Sequence, residues 1–357
     1  MTILKKIEKS GKGFLFFIFK LLLKSKSLNK DEIELSRIKN IIVIRLDRKI
    51  GNLILSLPLI RGLKEVFPDA SISIFVCREN SDVVKNNPYI KEVLIFEHKK
   101  YIKNPLCLLK LLKEVRKRNF DLAIDCSNPC STSITSCLIA YLSRAFLRVG
   151  FKKEYSDIFL NLLVTPDLNK HYIDIQLDLI RIFKKDLPIL KGNLYLNKEE
   201  KEEAESFFSC YRGKNLIGMW IGGAKEKRWK IENFIELKLK LEENKNNAVF
   251  LFYGVDEKKM VNDINYDVRL YEFTSVRKLA SFISFLDVFI CGDTGPLHIS
   301  YIVDTPSIGI FLHNNYRNYG YFEDNKHFTV VVNGKKDEMM DIYSKINVIL
   351  DEKSLLK

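Results

Sequence analysis

The sequence predicts an α/β protein built from two doubly wound, Rossmann-like domains that face a cleft. Short apolar runs typical of strands alternate with segments of helical spacing, and this alternation occurs twice along the chain. The 357 residues exceed what one hydrophobic core commonly organises, so two domains are expected. Ligands of this architecture bind at the carboxyl ends of the strands. Functional residues are therefore expected directly after the strands.

The first alternation predicts an N-terminal domain over residues 39–187. It follows a polar linker at residues 25–39. The apolar runs predict five strands, at 41–46, 71–76, 93–96, 121–126 and 146–149. Helical spacing predicts four helices, at 55–66, 105–118, 131–143 and 175–184. Residues 185–188, which end in a proline, predict a hinge to the next domain.

The second alternation predicts a C-terminal domain over residues 188–357. Strands are expected at 216–220, 248–253, 269–273, 288–291 and 307–311. Helices are expected at 198–208, 231–241, 276–285 and 296–303.

Residues 1–38 form a basic N-terminal segment, and the first 30 of them contribute +7 of the net charge of +13. Its first 30 residues hold eight lysines against Glu8 alone. The apolar run 13–23 is interrupted by Lys20 and is shorter than the ~20 residues that cross a bilayer. No small-residue cleavage site follows it. We expect an amphipathic helix on an anionic membrane surface. The alternative is a helix whose phenylalanines pack on the protein itself, and no nucleic acid is expected as a partner.

The seven cysteines predict reduced thiols rather than a disulfide framework. Their number is odd and most lie inside apolar runs, which suits the cytosol. Cys126 and Cys130 are close in sequence, but no second Cys/His pair stands at zinc-like spacing. We expect neither a metal nor a cofactor.

Residues 291–298, with the sequence Cys-Gly-Asp-Thr-Gly-Pro-Leu-His, are typical of a phosphate-binding turn. They join an apolar strand to a helix, and the helix N-terminus presents backbone N–H groups to an anion. Asp293 and Thr294 supply an acceptor and a hydroxyl for sugar hydroxyls, and His298 lies one turn along the helix after Gly295. The alternative is that Asp293 and Thr294 only cap the helix.

A second loop, at residues 221–229, also follows a predicted strand. Gly222 and Gly223 let the backbone approach a ligand closely. The basic residues after them can neutralise a diphosphate, and they are Lys225, Lys227 and Arg228.

Taken together, the two segments resemble glycosyltransferase family 9, the ADP-heptose:lipopolysaccharide heptosyltransferases. Residues 42–48, 50–58 and 63–69 are similar to that family's opening strand, loop and first helix. The resemblance runs over about residues 39–345, in order. It implies the GT-B fold, in which the C-terminal domain holds the donor nucleotide and the N-terminal domain holds the acceptor.

The resemblance also implies roles for individual donor-side residues. Lys227 looks like the lysine that contacts the donor's phosphate and sugar and stabilises the leaving diphosphate without a metal. Gly222 and Gly223 resemble the loop beside the diphosphate. Gly254 and Glu257 resemble the strand end and acidic residue that face the nucleoside. The donor-sugar and phosphate turn would comprise Asp293, Thr294, Gly295 and His298. For Lys225, Arg228 and Trp229, solvated charge and packing remain open as alternatives.

One position departs from the family pattern. The family usually carries Gly-Asp after its first strand, and that aspartate is regarded as the general base. Here the pair is Gly51-Asn52, in an acceptor-side loop that also includes Arg45. An amide cannot accept a proton at neutral pH, so Asp47 is the nearest carboxylate that could act as the base. The alternative is that Asp47 is purely structural.

The resemblance implies an inverting transferase that moves heptose from ADP-heptose to a lipopolysaccharide inner-core acceptor. Another nucleotide sugar or glycan acceptor is an open alternative. A catalytically impaired relative that only binds a nucleotide sugar or glycolipid is another, and Asn52 favours it. The expected partners are a nucleotide sugar, a glycolipid acceptor and an anionic inner leaflet. The expected location is cytoplasmic, peripheral on the inner face of the bacterial inner membrane.

Overall fold

Two parallel, six-stranded sheets confirm the predicted α/β class with two Rossmann-like halves. The computed structural model describes residues 16, 18–21, 23, 28, 33–262, 269–322, 326–332 and 338–355. Within these residues the first sheet has the strand order β3-β2-β1-β4-β5-β6, and the second has the order β12-β11-β10-β7-β8-β9. Both orders reverse beside the first strand of the sheet, and such a reversal opens a crevice for ligands.

The first sheet uses β1 (Asn40–Arg45), β2 (Ser71–Cys77), β3 (Ile90–Phe96), β4 (Leu122–Asp125), β5 (Leu147–Phe151) and β6 (Leu162–Val164). Five of the six residues of β1 are buried, as expected for a central parallel strand with helices on both faces. The helices of this half are α1 (Ile50–Ile54), α2 (Leu57–Val66), α3 (His98–Lys103), α4 (Pro105–Lys117), α5 (Ile134–Leu142) and α6 (Tyr172–Arg181).

The second sheet uses β7 (Asn215–Trp220), β8 (Asn247–Gly254), β9 (Leu270–Phe273), β10 (Val288–Gly292), β11 (Ser307–Phe311) and β12 (His327–Val331). Its helices are α7 (Lys198–Phe208), α8 (Ile231–Glu242), α9 (Lys258–Asn262), α10 (Val276–Ser284), α11 (Gly295–Ile302), α12 (Tyr316–Tyr319) and α13 (Glu338–Leu355). The division of the chain at residue 187 stays a prediction.

The helix predicted over 55–66 is wrong in its N-terminal boundary. The structure has α1 and then α2, with a break at Leu55 and Ser56. Pro58 lies in the first turn of α2, where its missing N–H costs nothing, whereas the same residue inside one continuous helix would remove a hydrogen bond. Seven elements were not predicted from the sequence: β6, β12, α1, α3, α9, α12 and α13.

The described part of the N-terminal segment packs on the first domain. Phe16 is buried, and its ring stacks on that of Tyr155 with the centroids 4.3 Å apart. The ring of Phe19 lies 5.4 Å from that of Phe159, edge to face. These contacts agree with the alternative in which the phenylalanines pack on the protein itself. Most of residues 1–38 lies outside the described residues, so the membrane helix stays a prediction.

Arg277, on α10, connects the two halves of the molecule. Its side chain is buried and pairs with both carboxylate oxygens of Glu200, at 2.5 and 2.7 Å. It also donates to the carbonyls of Asp82 and Lys85 in the first half, at 3.0 and 3.3 Å, and to that of Tyr195 at 2.6 Å. One guanidinium therefore joins the first half of the molecule to Tyr195 and Glu200 in the second half.

Candidate active site between the two domains

The glycine-bounded turn after β10 lies beside the basic loop after β7. Asp293 is almost buried, with 8% of its side chain exposed, and its Oδ2 atom accepts from Lys227 Nζ in an ion pair. Asn315 Nδ2 donates to the same oxygen. The structure thus brings together Lys227 and Asp293, which the sequence analysis proposed separately. It adds Asn315, which the analysis missed.

The two glycine-containing segments touch through Gly223. Its φ of +135° is a conformation that side chains rarely adopt, and a Cβ atom there would lie 2.5 Å from Thr294 Cγ2. A glycine at position 223 is therefore required so that loop 221–223 can pack against the turn.

Glu257 links the ends of β7 and β8. Its carboxylate is buried and accepts the N–H of Gly223 through Oε1 and that of Gly254 through Oε2, both at 3.0 Å. A Cβ atom at Gly222 would lie 2.6 Å from Glu257 Cδ, so Gly222 permits this close approach. Both oxygens of Glu257 are thus already engaged in holding the glycine loops in place.

A cavity of about 310 Å³ lies next to these loops. Its volume is at the lower end of the range for small-molecule sites. It is lined by Ile50, Trp220, Gly223, Gly254, Val255, Asp256, Glu257, Phe273, Thr274, Ser275, Val276, Leu279, Thr294, Pro296 and Ile299. Residues 273–276 form a part of the lining that was not predicted, although they join the end of a strand to the start of a helix, as the two glycine-containing loops do.

Arg45 anchors the opposite wall of the cleft at the end of β1. Its side chain is buried, and Nη2 lies 2.8 Å from Asp47 Oδ2 and 3.0 Å from the hydroxyl of Tyr172. A second nitrogen donates to the carbonyl of Cys126. Burial works to lower the pKa of Arg45, but Tyr172 and Asp47 outweigh it and raise the pKa above its ordinary value. Arg45 is therefore a permanent positive charge beneath the Asp47 loop.

The carboxylate of Asp47 makes one ion pair and two hydrogen bonds and remains partly exposed to solvent. Besides Arg45, it accepts the backbone N–H of Lys49 at 3.1 Å and the side-chain amide of Asn52 at 3.3 Å. About a third of its side chain, 31%, remains exposed. Asn52, at the position where the family usually has aspartate, here donates a hydrogen bond to the neighbouring carboxylate.

The loops of the two domains contact each other through two glycines. A Cβ atom on Gly51 would lie 3.0 Å from His298 Cδ2, and one on Gly295 would lie 2.7 Å from Ile50 Cγ2. The loop that carries Asp47 and Asn52 therefore packs directly against the start of α11 in the second domain. The residues proposed for donor and acceptor therefore meet at one place.

His298 is buried in this contact. Its Nδ1 atom lies 2.9 Å from the hydroxyl of Tyr321, another residue that the sequence analysis missed. Burial lowers the pKa of His298 to about 3, and Lys227 and His171 act in the same direction against Asp293. At neutral pH the ring is uncharged, so it can donate or accept a hydrogen bond but does not add a positive charge to the site.

The buried histidines predict a loss of stability in mild acid. The pKa of His298 and that of His327 fall from 6.5 to about 3, and burial is the main cause in both. The unfolded chain therefore binds more protons than the folded protein between these pH values, and stability falls as the pH drops below about 6.5. By pH 5 the loss is about 2 kcal/mol per histidine. Urea unfolding at pH 7.5 and pH 5 measures it.

Replacing His327 with glutamine tests this assignment, because His327 lies away from the proposed chemistry and hydrogen-bonds to Ser307 Oγ at 2.9 Å. The variant should be less stable at pH 7.5, yet lose less stability on acidification than the parent. An equal loss in both proteins would contradict the histidine origin.

The remaining basic-loop residues fit their alternative roles. Trp229 is buried in the core of the second domain, and its ring lies 4.9 Å from that of Phe234. Arg228 contacts the sulfur of Met260, and Lys225 is exposed.

In the part of the chain that the structure describes, no group of three or more His, Cys, Asp or Glu side chains is placed to hold a metal ion. Across the same residues, no helix combines the length and apolar character needed to cross a bilayer.

Two Rossmann-like domains that meet at a cleft, with a glycine-bounded strand-to-helix turn on the second, form the GT-B fold. The family model "Glycosyltransferase family 9 (heptosyltransferase)" matches residues 108–345. The chain belongs to this family, which confirms the resemblance found in the sequence.

Individual relatives agree with this assignment. Lipopolysaccharide heptosyltransferase 1 of Campylobacter coli is 24% identical over 289 residues, which cover 76% of this chain and 83% of the relative. The glycosyl transferase family 9 structure from Veillonella parvula superimposes with a TM-score of 0.75 at 19% identity, covering 93% of this chain and 99% of that one. The structure of E. coli ADP-heptose lps heptosyltransferase II gives 0.68 at 18%, covering 88% and 100%. The protein is a heptosyltransferase-family enzyme.

Proposed function

We propose that this protein transfers heptose from ADP-heptose to an inner-core sugar of lipopolysaccharide, with inversion at the anomeric carbon. The observation that carries the proposal is the close approach of the Asp47 loop, at Ile50 and Gly51, to the turn that bears the Lys227–Asp293 pair and lines the 310 Å³ cavity. The relative of known structure from E. coli is named for ADP-heptose, and the Campylobacter coli relative is named for lipopolysaccharide.

On the donor side, the cavity suits a nucleoside. Trp220, Phe273 and Leu279 give it apolar walls that can pack against a base, while Ser275 and Thr294 add hydroxyls for directional contacts. The diphosphate would then lie towards the N-terminus of α11, where backbone N–H groups and the helix dipole favour negative charge.

Lys227 supplies the positive charge for the leaving group. About one-third of its side chain is exposed while it is paired with Asp293, so the residue does not lie in the core. As the bond between the sugar and ADP breaks, negative charge grows on the diphosphate, and a cation held beside it stabilises that charge. In this arrangement Asp293 and Asn315 hold the lysine turn in position.

On the acceptor side, Asp47 is the proposed general base. Its carboxylate can take the proton of the acceptor hydroxyl through its exposed part, while Arg45 and Asn52 fix its orientation. Asn52 then acts as a positioning residue, because its amide donates to Asp47 and does not itself accept a proton.

A catalytically impaired relative is the second candidate, and Asn52 is the observation that favours it. Such a protein would hold a nucleotide sugar or a glycolipid in the same cleft. Another nucleotide sugar or glycan acceptor within the family is the nearer alternative.

Donor binding and turnover, measured separately, test these candidates. We expect calorimetry to show tighter binding of ADP than of UDP or GDP, and we expect transfer from ADP-heptose to a lipopolysaccharide core acceptor. Transfer from a UDP-sugar alone would replace the donor assignment. Nucleotide binding without turnover of any of these donors would favour the impaired relative.

Activity is expected to persist in excess EDTA. Lys227 and the helix-terminal N–H groups of α11 are proposed to carry the phosphate charge, so the reaction does not depend on a divalent cation. The initial rate of transfer, measured before and after chelation, checks this. Activity that falls in chelator and returns with magnesium or manganese would contradict it.

The proposed location is the cytoplasmic face of the inner membrane. The support is the excess of lysine in the first 30 residues, since each cation near an anionic leaflet contributes about 1 kcal/mol of binding. A glycolipid acceptor would also be presented at that surface.

A further inference from the structure

Helix α4 carries an outward face of leucine and lysine that the proposed chemistry does not use. Leu106 and Leu109 are 66% and 61% exposed, although leucine is commonly buried. Lys110 and Lys113 are also exposed. The positions 106, 109, 110 and 113 are spaced by three and four residues, so they share one side of the helix.

The opposite side of α4 is fully occupied by the core. Leu112 and Val115 are buried in the same apolar cluster as Phe96, and Leu108 and Leu111 pack against it. The two exposed leucines are therefore not needed to attach the helix to the domain.

The segment around this face is strongly basic. Residues 98–118 contain six lysines and two arginines against Glu114 alone. Lys99 and Lys103 on the preceding α3 are exposed as well. We define the α3–α4 face as Lys99, Lys103, Leu106, Leu109, Lys110 and Lys113.

The α3–α4 face begins at the edge of the sheet that forms the cleft. β3 runs parallel to β2, and β2 runs parallel to β1, so all three strands end on the same edge. His98, the first residue of α3, lies 3.4 Å from Cys77 Sγ, which in turn lies 2.9 Å from the carbonyl of Leu46. The start of the face is thus connected directly to the loop that carries Asp47.

We propose that the α3–α4 face docks on an anionic lipid bilayer. Leucines flanked by lysines are the composition that places a helix in the plane of a membrane interface. Two exposed leucines are too few for a stable protein interface of about 1,000 Å² or more, and lysine is depleted in such interfaces. A bilayer at this face would present a glycolipid headgroup at the acceptor side of the cleft.

Sedimentation of the full chain with vesicles tests this proposal, with no donor or acceptor present. Vesicles of phosphatidylcholine with about a quarter phosphatidylglycerol are compared with pure phosphatidylcholine. The parent should bind the anionic vesicles more tightly. The variant Lys110→Gln/Lys113→Gln should lower the partition coefficient about 30-fold, at about fivefold per lysine. The variant Leu106→Ser/Leu109→Ser should weaken binding as well.

The matched controls remove the same chemistry from exposed positions of the second domain. They are Lys214→Gln/Lys245→Gln for charge and Leu239→Ser for apolar surface, and they should bind as the parent does. A charge control that loses as much as Lys110→Gln/Lys113→Gln would overturn the proposal, because only net charge would then matter. Equal binding of the parent to both kinds of vesicle would overturn it too.

Hydrogen exchange provides an independent readout. Anionic vesicles should slow the exchange of the amides of residues 106–113, and protection confined to other segments would overturn the proposal. A concentration-dependent dimer that the leucine variant abolishes would also overturn it, since a second copy of the chain would then cover the face. The inference stands apart from the transferase assignment, because vesicle binding and sugar transfer are measured separately.

Discussion

Lys227→Ala is expected to leave the protein folded and to lower the turnover number by ~10²–10³. The reason is that Lys227 is the cation proposed to stabilise the departing diphosphate, where removal of one preorganised charge has its largest effect in the transition state. Because Asp293 is almost buried, loss of its ion pair should lower stability, while the hydrogen bond from Asn315 Nδ2 still satisfies the carboxylate in part and the protein stays folded. Steady-state kinetics and thermal unfolding of the same preparation measure the two quantities.

Lys225→Ala is the matched control for this variant. Lys225 lies in the same short 3-10 turn and is exposed, so its removal alters the charge of the loop without touching the Asp293 pair. It should retain near-parent kinetics. If Lys227→Ala also keeps the parent turnover number, the lysine has no part in the mechanism.

Asp293→Asn separates the two roles of the pair. If Asp293 only positions Lys227, the double variant with Lys227→Ala should be no slower than Lys227→Ala alone. Additive losses would instead show that Asp293 acts on the donor independently.

Asp47→Asn is expected to reduce transfer by the ~10²–10⁴ that a positioned general base supplies. The amide keeps an oxygen for Arg45 but cannot take a proton from the acceptor hydroxyl. Because the base acts only on the acceptor, the affinity for the donor nucleotide, measured by calorimetry, should stay near the parent value. Unchanged turnover would make Asp47 a structural residue.

Asn52→Asp alone is expected to change the rate little and to alter its pH dependence. The new carboxylate would face Asp47 across the 3.3 Å contact that the amide now makes. Two carboxylates at that distance disfavour each other's charge, so one of them should titrate at a higher pH. A rate increase of ~10²–10⁴ would instead show that position 52 is the proper place for the base and that the natural chain is an impaired catalyst.

The exchange variant Asp47→Asn/Asn52→Asp decides between the two positions. It keeps one amide and one carboxylate in contact and moves only the carboxylate. If Asp47 is the base, the exchanged protein stays inactive. If activity returns, the base belongs at position 52.

Several features of this protein were predictable from the sequence alone. The alternation of apolar runs with helical spacing predicted both sheets, because each central parallel strand is buried on two faces and reads as a continuous apolar run. Gly222, Gly223 and the turn at 293–295 could be proposed as ligand-binding loops because each directly follows a predicted strand. The replacement of aspartate by Asn52 was also visible without coordinates.

Other features required the tertiary structure. Asn315 contacts Asp293, Tyr321 contacts His298 and Arg277 joins Glu200 to the first domain, although no local pattern marks any of the three. That Glu257 faces the nucleoside stays a prediction, and its two hydrogen bonds to backbone N–H groups were not foreseen from the sequence.

One physical reason explains why the loops could be predicted from the sequence and the contacts of the buried polar side chains could not. A strand, a turn or a helix start depends on residues within a few positions of one another, so a short stretch of sequence is enough to predict it. The partners of a buried polar side chain are chosen by whichever groups the strand order brings within hydrogen-bond distance, and here those groups lie up to 195 positions apart. The sequence by itself determined the class of fold and the loops that form the cleft, and the packing of the two domains decided which side chains meet there.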